Sequence, residues 1–253
     1  MTPEFGSPRT AIVTGGARRI GAGITRALAA DGWTVLVHHN QSAGPAADLA
    51  AELGVHAVHA DLADPAAADR IVAALDGLPP PALLVNNASR FDHDGFDDFT
   101  VAQWDRHMAV NVRAPALLTR AFAAAVPAGR GGLVVNLLDA KLAQPNPDFF
   151  SYTVSKMAFA GVAELAARLL APQGIRLCNI APAVTLASGP QTRENFDAVH
   201  AMNPLGRGVT VDEIVAALRF IIATPTLTGQ TLTIDGGQRF LGLPRDVQFM
   251  ESR

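Results

Sequence analysis

Residues 10–23 read TAIVTGGARRIGAG and join a β-branched apolar run to a cluster of glycines. The run 10–13 predicts a strand, the glycines a turn, and residues 20–30 a helix. A dinucleotide site needs this order, because glycines let the backbone approach a pyrophosphate and a helix N-terminus offers free N–H groups. The segment therefore predicts a nucleotide-binding turn after the first strand.

The rest of the chain alternates between buried strands and Ala-rich helices. Six further apolar runs predict strands, at 34–38, 55–59, 82–86, 133–137, 175–180 and 231–234. The stretches between them predict helices, among them 20–30, 44–53, 65–76, 101–126, 150–171 and 211–223. Near-continuous apolar strands separated by helices indicate a parallel sheet covered on both faces. We expect one α/β domain over 1–253, a Rossmann-type doubly wound parallel sheet of about seven strands.

Composition restricts the class of function. Hydrophobic residues make up 49% of the 253 residues, and the net charge of −3 provides no basic field for nucleic acid. Residues 1–8 lack an apolar signal segment, and no run approaches the roughly 18 apolar residues that a membrane span needs. The single cysteine, Cys178, lies in a predicted buried strand. We expect a cytoplasmic enzyme with a small-molecule substrate and no nucleic-acid or membrane partner.

The only tyrosine, Tyr152, stands four residues before Lys156, one of two lysines in the chain. Residues i and i+4 share a helix face, so the ammonium is expected to lie beside the phenol and lower its pKa. Such a phenol can donate and accept a proton near neutral pH. A reduction also requires a hydride, which side chains cannot supply, so the pair and the nucleotide turn predict a cofactor-dependent reductase.

Four motifs in order resemble the short-chain dehydrogenase/reductase family over essentially the whole chain: the glycine turn, Asn86-Asn87-Ala88, Asn111 and Tyr152-x-x-x-Lys156. The resemblance implies that Tyr152 is the acid, that Lys156 also grips the nicotinamide ribose, and that Asn111 holds a water in the proton relay. It places Asp61 and Leu62 at the adenine, and Asp235-Gly236-Gly237 in a structural turn after the last strand. The expected cofactor-binding set is Gly15, Arg18, Arg19, Ile20, Gly21, His38, Ser42, Asp61, Leu62, Asn87, Ala88, Ser89, Tyr152, Lys156, Pro182 and Thr185.

Two departures from the common family pattern point to one branch. Arg19 stands where most members have Gly, and Asp139, thirteen residues before Tyr152, stands where they have Ser. Together with Asn87-Ala88-Ser89-Arg90-Phe91, these substitutions resemble the pteridine reductase branch, which includes bacterial dihydromonapterin reductases. The segment 38–42 is similar to the phosphate-contacting loop of that branch, although Gln41 replaces an expected Arg.

The charge pattern favours NADPH over NADH. No residue of 37–42 is acidic, whereas a carboxylate at this strand end would bind the ribose 2′-hydroxyl of NAD and repel a 2′-phosphate. Arg19, with Arg18, can pair with that phosphate, and Ser42 can donate a hydrogen bond to it. The alternative is that both arginines are solvated residues at a helix start.

The expected substrate contacts are Ser89, Phe91, Asp139 and Tyr152. Desolvation should raise the pKa of Asp139, so that its carboxyl can donate a proton to a pterin ring nitrogen. Phe91 is expected to stack on a flat heteroaromatic ring. The alternatives are a damaged site for Asp139 and a loop-anchoring role for Phe91. Trp104 and His107 are expected to be packing residues.

Two segments concern specificity and assembly. Residues 183–208 are expected to form the substrate loop, although Ala183 departs from the family's usual Pro-Gly opening. Helix residues 157–171 are apolar or small nearly all round, which predicts a partner subunit and, by resemblance, a homotetramer. The tail 240–253 is expected either to reach a neighbouring subunit's site or to be disordered.

The sequence thus predicts an NADPH-dependent reductase of a pterin or dihydropterin. Two alternatives stay open. The first is a carbonyl reductase for a ketone or 3-oxoacyl thioester, which shares every feature except those of Asp139 and Phe91. The second is a non-catalytic NADP(H)-binding sensor, which would bind the cofactor without oxidising it.

Overall fold

A parallel sheet of seven strands occupies the centre of the molecule. The computed structural model describes residues 5–187 and 191–250 and orders the strands β3-β2-β1-β4-β5-β6-β7. The strands are β1 (Thr10–Thr14), β2 (Thr34–His39), β3 (His56–His59), β4 (Pro81–Asn86), β5 (Gly132–Leu137), β6 (Ile175–Pro182) and β7 (Thr231–Ile234). The chain winds outward from β1 in both directions, which confirms the predicted Rossmann-type fold and places the switch point between β1 and β4.

Helices cover both faces of the sheet. They are α1 (Arg19–Ala30), α2 (Ala43–Leu53), α3 (Ala67–Ala73), α4 (Val101–Met108), α5 (Ala114–Ala125), α6 (Phe150–Leu170), α7 (Arg193–His200) and α8 (Val211–Ala223). The predicted helix 101–126 is divided into α4 and α5 by a π-helical turn, Ala109–Arg113. The predicted helix 65–76 ends early, because Leu75 and Asp76 donate to carbonyls three residues back and so tighten its last turn.

One helix was not predicted. Helix α7 lies within the expected loop 183–208, of which residues 188–190 lie outside the described residues. It begins where the Thr192 hydroxyl accepts a hydrogen bond from the backbone N–H of Asn195. A threonine in this position satisfies one of the N–H groups that a helix start leaves unpaired.

Alternate residues of each strand face opposite layers of the core. In β1, Ala11 and Val13 pack with α1, α2 and α8, while Ile12 packs with α3, α5 and α6. All three side chains are fully buried. Burial on both faces explains why the strands read as continuous apolar runs rather than as alternating ones.

A row of buried amides crosses the sheet. Asn86 donates to Asn136 Oδ1 at 2.9 Å, Asn136 donates to Asn179 Oδ1 at 3.0 Å, and Asn179 donates to Thr231 Oγ1 at 3.0 Å. These residues are partners in the strand register from β4 to β7. Each bond contributes about 0.5–1.5 kcal/mol net, and a register slip would leave buried amides unpaired. The row therefore fixes the strand ends that carry the site.

The predicted homotetramer stays a prediction. On α6, Leu165 and Leu169 are 65% and 71% exposed, so this helix presents apolar surface away from the core. Within the described ranges, no helix is both long enough and apolar enough to cross a bilayer.

Candidate active site

The glycine turn after β1 makes a close approach to the start of α1. Gly15 has φ +61°, and a Cβ at Gly21 would lie 2.1 Å from the carbonyl oxygen of Gly15. A side chain at either position would strain or block the turn. The free backbone N–H groups at the start of α1 therefore remain open to a ligand at the carboxyl end of the sheet.

Asn87 ties the end of β4 to the glycine turn. Its amide donates to Thr14 O at 2.8 Å and to Gly15 O at 3.2 Å. The Thr14 hydroxyl in turn accepts hydrogen bonds from the backbone N–H groups of Asn87 and Ala88, both at 3.0 Å. These hydrogen bonds hold the ends of β1 and β4 together at the switch point.

Arg19 occupies an unusual backbone position. It is the first residue of α1 and has φ +54°, a left-handed conformation that favours glycine. Its guanidinium donates to Ala187 O at 2.6 Å and to Leu186 O at 3.2 Å. Burial, with the neighbouring charge of Arg18, lowers the pKa of Arg19. Arg19 therefore spans from the glycine turn to the start of the expected substrate loop.

The ring of His38, a predicted cofactor contact, is bonded to the backbone of the glycine turn. Its Nδ1 accepts from Gly15 N at 3.2 Å and its Nε2 pairs with Ala60 O at 2.9 Å, so both ring nitrogens are occupied by backbone groups. Burial lowers the pKa of His38 to about 4, so the ring is neutral near pH 7. The side chain holds the glycine turn in place and does not line the cavity.

The expected adenine and phosphate contacts lie at the ends of β2 and β3. Asp61 is exposed and caps its own turn by accepting from Ala63 N at 2.9 Å, while Leu62 is buried. Neither lines the cavity, and their contact with adenine stays a prediction. Ser42 does line it, at the N-cap of α2, and its hydroxyl makes no capping bond there.

Three side chains meet at the carboxyl end of β5. Asp139 follows β5, and its Oδ2 accepts a hydrogen bond from the hydroxyl of Tyr152 at 2.6 Å. Lys156 lies one turn further along α6, is buried, and donates to Leu137 O at 2.8 Å. The sheet edge and the first turns of α6 therefore bring the phenol, the carboxyl and the ammonium together.

The pKa of Tyr152 is shifted in the direction opposite to the one expected from the sequence. Burial and the adjacent Asp139 carboxylate raise the pKa of Tyr152 well above its usual value, so the prediction that Lys156 makes the phenol more acidic is wrong. The ammonium lies 5.8 Å from the phenol ring centroid, and burial lowers the pKa of Lys156 to about 8. Burial raises the pKa of Asp139, as expected. The arrangement favours a proton retained on the Tyr152–Asp139 pair.

Asn111 lies in the π-helical turn between α4 and α5. Its Oδ1 accepts from Arg90 N at 2.7 Å and from the Ser89 hydroxyl at 3.3 Å. Its amide donates to Arg90 O and to Ser155 Oγ, both at 2.9 Å. Asn111 is buried and does not line the cavity; it joins the 89–91 loop to α6, and its predicted water-holding role stays a prediction.

A cavity of about 670 Å³ opens over this group and the glycine turn. Most of the predicted site residues line it: Gly15, Arg18, Arg19, Ile20, Gly21, Ser42, Asn87, Ala88, Ser89, Phe91, Asp139, Tyr152, Lys156, Pro182 and Thr185. The cavity therefore joins the glycine turn to the hydrogen-bonded Tyr152–Asp139 pair.

Phe91 forms one wall of the cavity. Its ring stacks on Phe149 with centroids 4.2 Å apart and meets Tyr152 edge-on at 4.6 Å. Phe149 has φ +54° and immediately precedes α6, so this stack sits beside the helix turn that carries Tyr152. Phe91 thus packs as a loop anchor and also presents surface to the cavity.

A buried polar chain behind the site was not predicted. His107 Nδ1 pairs with the Ser151 hydroxyl at 2.7 Å, and that hydroxyl makes a short hydrogen bond to Asp94. Asp94 also accepts from Ser151 N at 2.9 Å, and so caps the start of α6. His107 is therefore more than the expected packing residue, whereas Trp104 packs against Phe99 and Phe150 as expected. No spacing rule in the sequence connects these positions.

The C-terminal residues also line the cavity of their own chain. Leu243 and residues 245–248 contribute to its wall. The predicted contact of the tail with a neighbouring subunit stays a prediction, and residues 251–253 lie outside the described part of the chain. Its positioning depends on partners about 97 residues away in sequence, which local pattern cannot reveal.

Comparison with known proteins identifies the family. A family model described as enoyl-(acyl carrier protein) reductase matches residues 15–239. The chain belongs to the short-chain dehydrogenase/reductase family. The resemblance inferred from the glycine turn and the Tyr152/Lys156 pair is thereby confirmed.

Individual relatives within this family differ in the activity that their names state. The structure of FolM alternative dihydrofolate reductase 1 from Brucella canis, complexed with NADP, is similar with TM-score 0.86 and 36% identity over 94% of this chain and 96% of that one. Pteridine reductase 1 of Leishmania tarentolae is 29% identical over 94% of this chain and 98% of its own length. The 3-oxoacyl-[acyl-carrier-protein] reductase of Synechocystis sp. is 27% identical over 90% of this chain and 96% of its own length.

Proposed function

We propose that the protein is an NADPH-dependent reductase of a pterin or dihydropterin. The observation that carries the proposal is the buried Asp139 carboxyl, hydrogen-bonded to Tyr152 at 2.6 Å on the cavity wall, with a pKa raised by burial. A serine would suffice to hold a carbonyl oxygen, whereas a ring nitrogen requires an acid as hydride reaches the adjacent carbon. The FolM and pteridine reductase relatives support the same substrate class.

The residues present fit NADPH. The approach of Gly21 to Gly15 leaves a cradle that a Cβ would fill, as pyrophosphate binding requires. The first turn of α1 contains no acidic residue, and neither Arg18 nor Arg19 forms a salt bridge within the described ranges. Ser42 at the start of α2 offers a hydroxyl and a positive helix end for a 2′-phosphate. The NADP-bound neighbours agree with this choice of cofactor.

Arg19 should control the choice between NADPH and NADH. Arg19→Gly removes the cation and suits the observed φ of +54° better than alanine does. Losing a charge-assisted contact to the 2′-phosphate costs about 1.5–3 kcal/mol, so NADPH affinity should fall roughly 10- to 100-fold. NADH affinity should change little. Fluorescence titration with both cofactors measures the ratio, and an equal loss for both would assign Arg19 to holding the loop at Leu186.

In this mechanism the bound NADPH supplies the hydride. Lys156 lies one turn from Tyr152 on α6 and is available to hold the cofactor ribose, while its bond to Leu137 O keeps it in place. Asp139, in its protonated form, donates to the substrate ring nitrogen. Tyr152 keeps its 2.6 Å hydrogen bond to Asp139 and so stabilises the carboxylate that this donation leaves; the carboxylate regains a proton from solvent once the product departs. Phe91 orients the flat ring and, with Phe149, excludes water from the acid.

Phe91 should matter for a flat substrate more than for a small one. Phe91→Ala removes a stacking surface worth about 0.5–1.5 kcal/mol beyond area burial, so the KM for a dihydropterin should rise about tenfold. Steady-state kinetics with a dihydropterin and a small ketone measure the contrast. Phe99→Ala, in the aromatic cluster of α4 and α6, is the matched control and should leave both KM values unchanged. An unaltered dihydropterin KM in Phe91→Ala would place the ring away from the substrate.

A carbonyl reductase is the second candidate. The family description and the 3-oxoacyl relative favour it, and the Tyr152/Lys156 pair would serve it equally well. NADPH consumption against a panel of pterins, ketones and 3-oxoacyl thioesters separates the candidates. Pterin reduction alone supports the proposal, thioester or ketone reduction alone supports the second candidate, and tight NADPH binding without turnover indicates a sensor.

A further inference from the structure

The C-terminal strap, residues 243–250, forms part of the wall of the cavity. Leu243 and residues 245–248 face the cavity, and Val247 is buried. The strap carries one short 3-10 turn, Val247–Phe249, capped where Asp246 accepts from Gln248 N at 3.1 Å. Little secondary structure holds it, so its place depends on side-chain anchors.

Asp148 is the main anchor. It is 8% exposed and lies two residues before α6. Its carboxylate accepts from the Arg245 guanidinium at 2.8 and 2.9 Å and from the backbone N–H of Asp246 at 2.7 Å. A buried carboxylate that lost these donors would be left unpaired at considerable cost. The strap is therefore fastened to the segment that leads into Tyr152.

Lys141 connects the strap to the catalytic carboxyl. Its side chain is 9% exposed, and its ammonium donates to Asp148 O at 2.6 Å and to Asp246 Oδ2 at 3.3 Å. Its backbone N–H donates to Asp139 Oδ1 at 2.8 Å. Both lysines of the chain therefore serve this site, one at Tyr152 and one between Asp139 and the strap.

Aromatic contacts and α7 complete the attachment. Phe249 stacks on Phe149 with ring centroids 5.8 Å apart, and the Phe149 ring also stacks on Phe91 at the cavity wall. Asn195 of α7 donates to the carbonyl oxygen of Gln248 at 3.4 Å. The strap thus connects the Phe91 side of the cavity wall to the helix of the expected substrate loop.

We propose that the strap is a specificity wall supplied by the same chain, with Arg245 and Asp148 as the positions that set the size of substrate accepted. The proposal rests on the proposed function for the identity of the preferred substrate. A fixed wall beside Phe91 confines a small flat ring and excludes a bulky substituent. Loosening the strap should therefore weaken binding of the small ring and improve access for a substrate with a bulky substituent.

Arg245→Ala tests the wall without touching the catalytic group. The KM for a small dihydropterin should rise about tenfold, while kcat/KM for a bulkier dihydropterin, dihydrofolate, should be unchanged or higher; a tenfold change corresponds to one well-paired charged hydrogen bond. The Kd of NADPH should stay within about twofold, because Arg245 pairs with Asp148 and not with the glycine turn. Arg219→Ala is the matched control, since it breaks a similar two-bond contact between Arg219 of α8 and Asp31, the residue that follows α1. Equal changes for both substrates, or none, would overturn the proposal.

A second measurement is independent of the substrate assignment. Chymotrypsin cleavage at Phe249 should be at least fivefold faster in Arg245→Ala and in Asp148→Asn than in wild type or Arg219→Ala, because local opening exposes the strap to protease. Unchanged protection would show that these contacts do not fasten it. If wild type reduces only thioesters, the proposed function fails. The strap proposal is then tested by comparing the effect of Arg245→Ala on kcat/KM for a short and for a long 3-oxoacyl thioester, together with the cleavage rates.

Discussion

Tyr152→Phe should lower kcat at least about 100-fold, because its hydroxyl belongs to the hydrogen-bonded pair with Asp139 and a positioned proton-transfer group contributes roughly 10²–10⁴ to a rate. The substitution keeps the ring that meets Phe91 edge-on at 4.6 Å and removes only the hydroxyl that donates to Asp139. NADPH affinity should stay within a few-fold, because Lys156 and the glycine turn are unchanged. Single-turnover NADPH oxidation, with the Kd from fluorescence, measures both quantities. Near-normal turnover would remove Tyr152 from the mechanism.

The control for this variant is Ser151→Ala, on the same turn of α6. Ser151 is buried against Asp94 and His107 and has no contact with the cavity. Its loss should reduce stability by about 1–3 kcal/mol through the unpaired partners, with a much smaller fall in kcat than Tyr152→Phe causes. A similar fall in both would indicate that distortion of α6, and not loss of the Tyr152 hydroxyl, explains the Tyr152 result.

The fold was accessible from the sequence because its signal is local. Each predicted strand lies within about two residues of an observed one, since a strand buried on both faces leaves a continuous apolar run. The Tyr152/Lys156 spacing and the glycine turn are likewise short-range patterns. Once β5 and α6 are placed, the chain connection alone brings Asp139 to Tyr152.

The remaining features depend on contacts between distant segments. Arg245 meets Asp148, and Asp94 caps α6 at Ser151, through pairings that no periodicity marks. The same limit explains why the direction of the Tyr152 pKa shift was predicted wrongly. The spacing brings Lys156 near Tyr152, but it does not show that burial and a hydrogen-bonded carboxylate dominate the pKa of the phenol. The side chain of His38 bonds to Gly15 and Ala60, contacts that its neighbours in sequence do not reveal, and its predicted contact with the cofactor stays a prediction.

Asp139→Ala should abolish most dihydropterin reduction, by roughly 100-fold or more if the carboxyl supplies the proton. Asp139→Asn is the more precise variant, because it keeps the size and can still accept from Tyr152 but cannot donate a carboxyl proton. It should be nearly as inactive as the alanine variant. Asp139→Ser should recover little pterin activity and gain reduction of a 3-oxoacyl thioester, because a hydroxyl can hold an oxygen but is a far weaker acid.

The pH dependence separates a proton donor from a mere hydrogen-bond partner. The pKa of Asp139 is raised by burial, so the carboxyl keeps its proton to a higher pH than an exposed aspartate does. An acid acts only while protonated, and the wild-type dihydropterin rate should therefore fall as pH rises through that raised pKa. The residual activity of Asp139→Asn should lack this fall, because an amide does not titrate. If the fall persists in Asp139→Asn, or if Asp139→Ala turns over dihydropterin normally, the proton comes from another group and the carbonyl reductase becomes the better assignment, since that reaction needs only Tyr152 and Lys156.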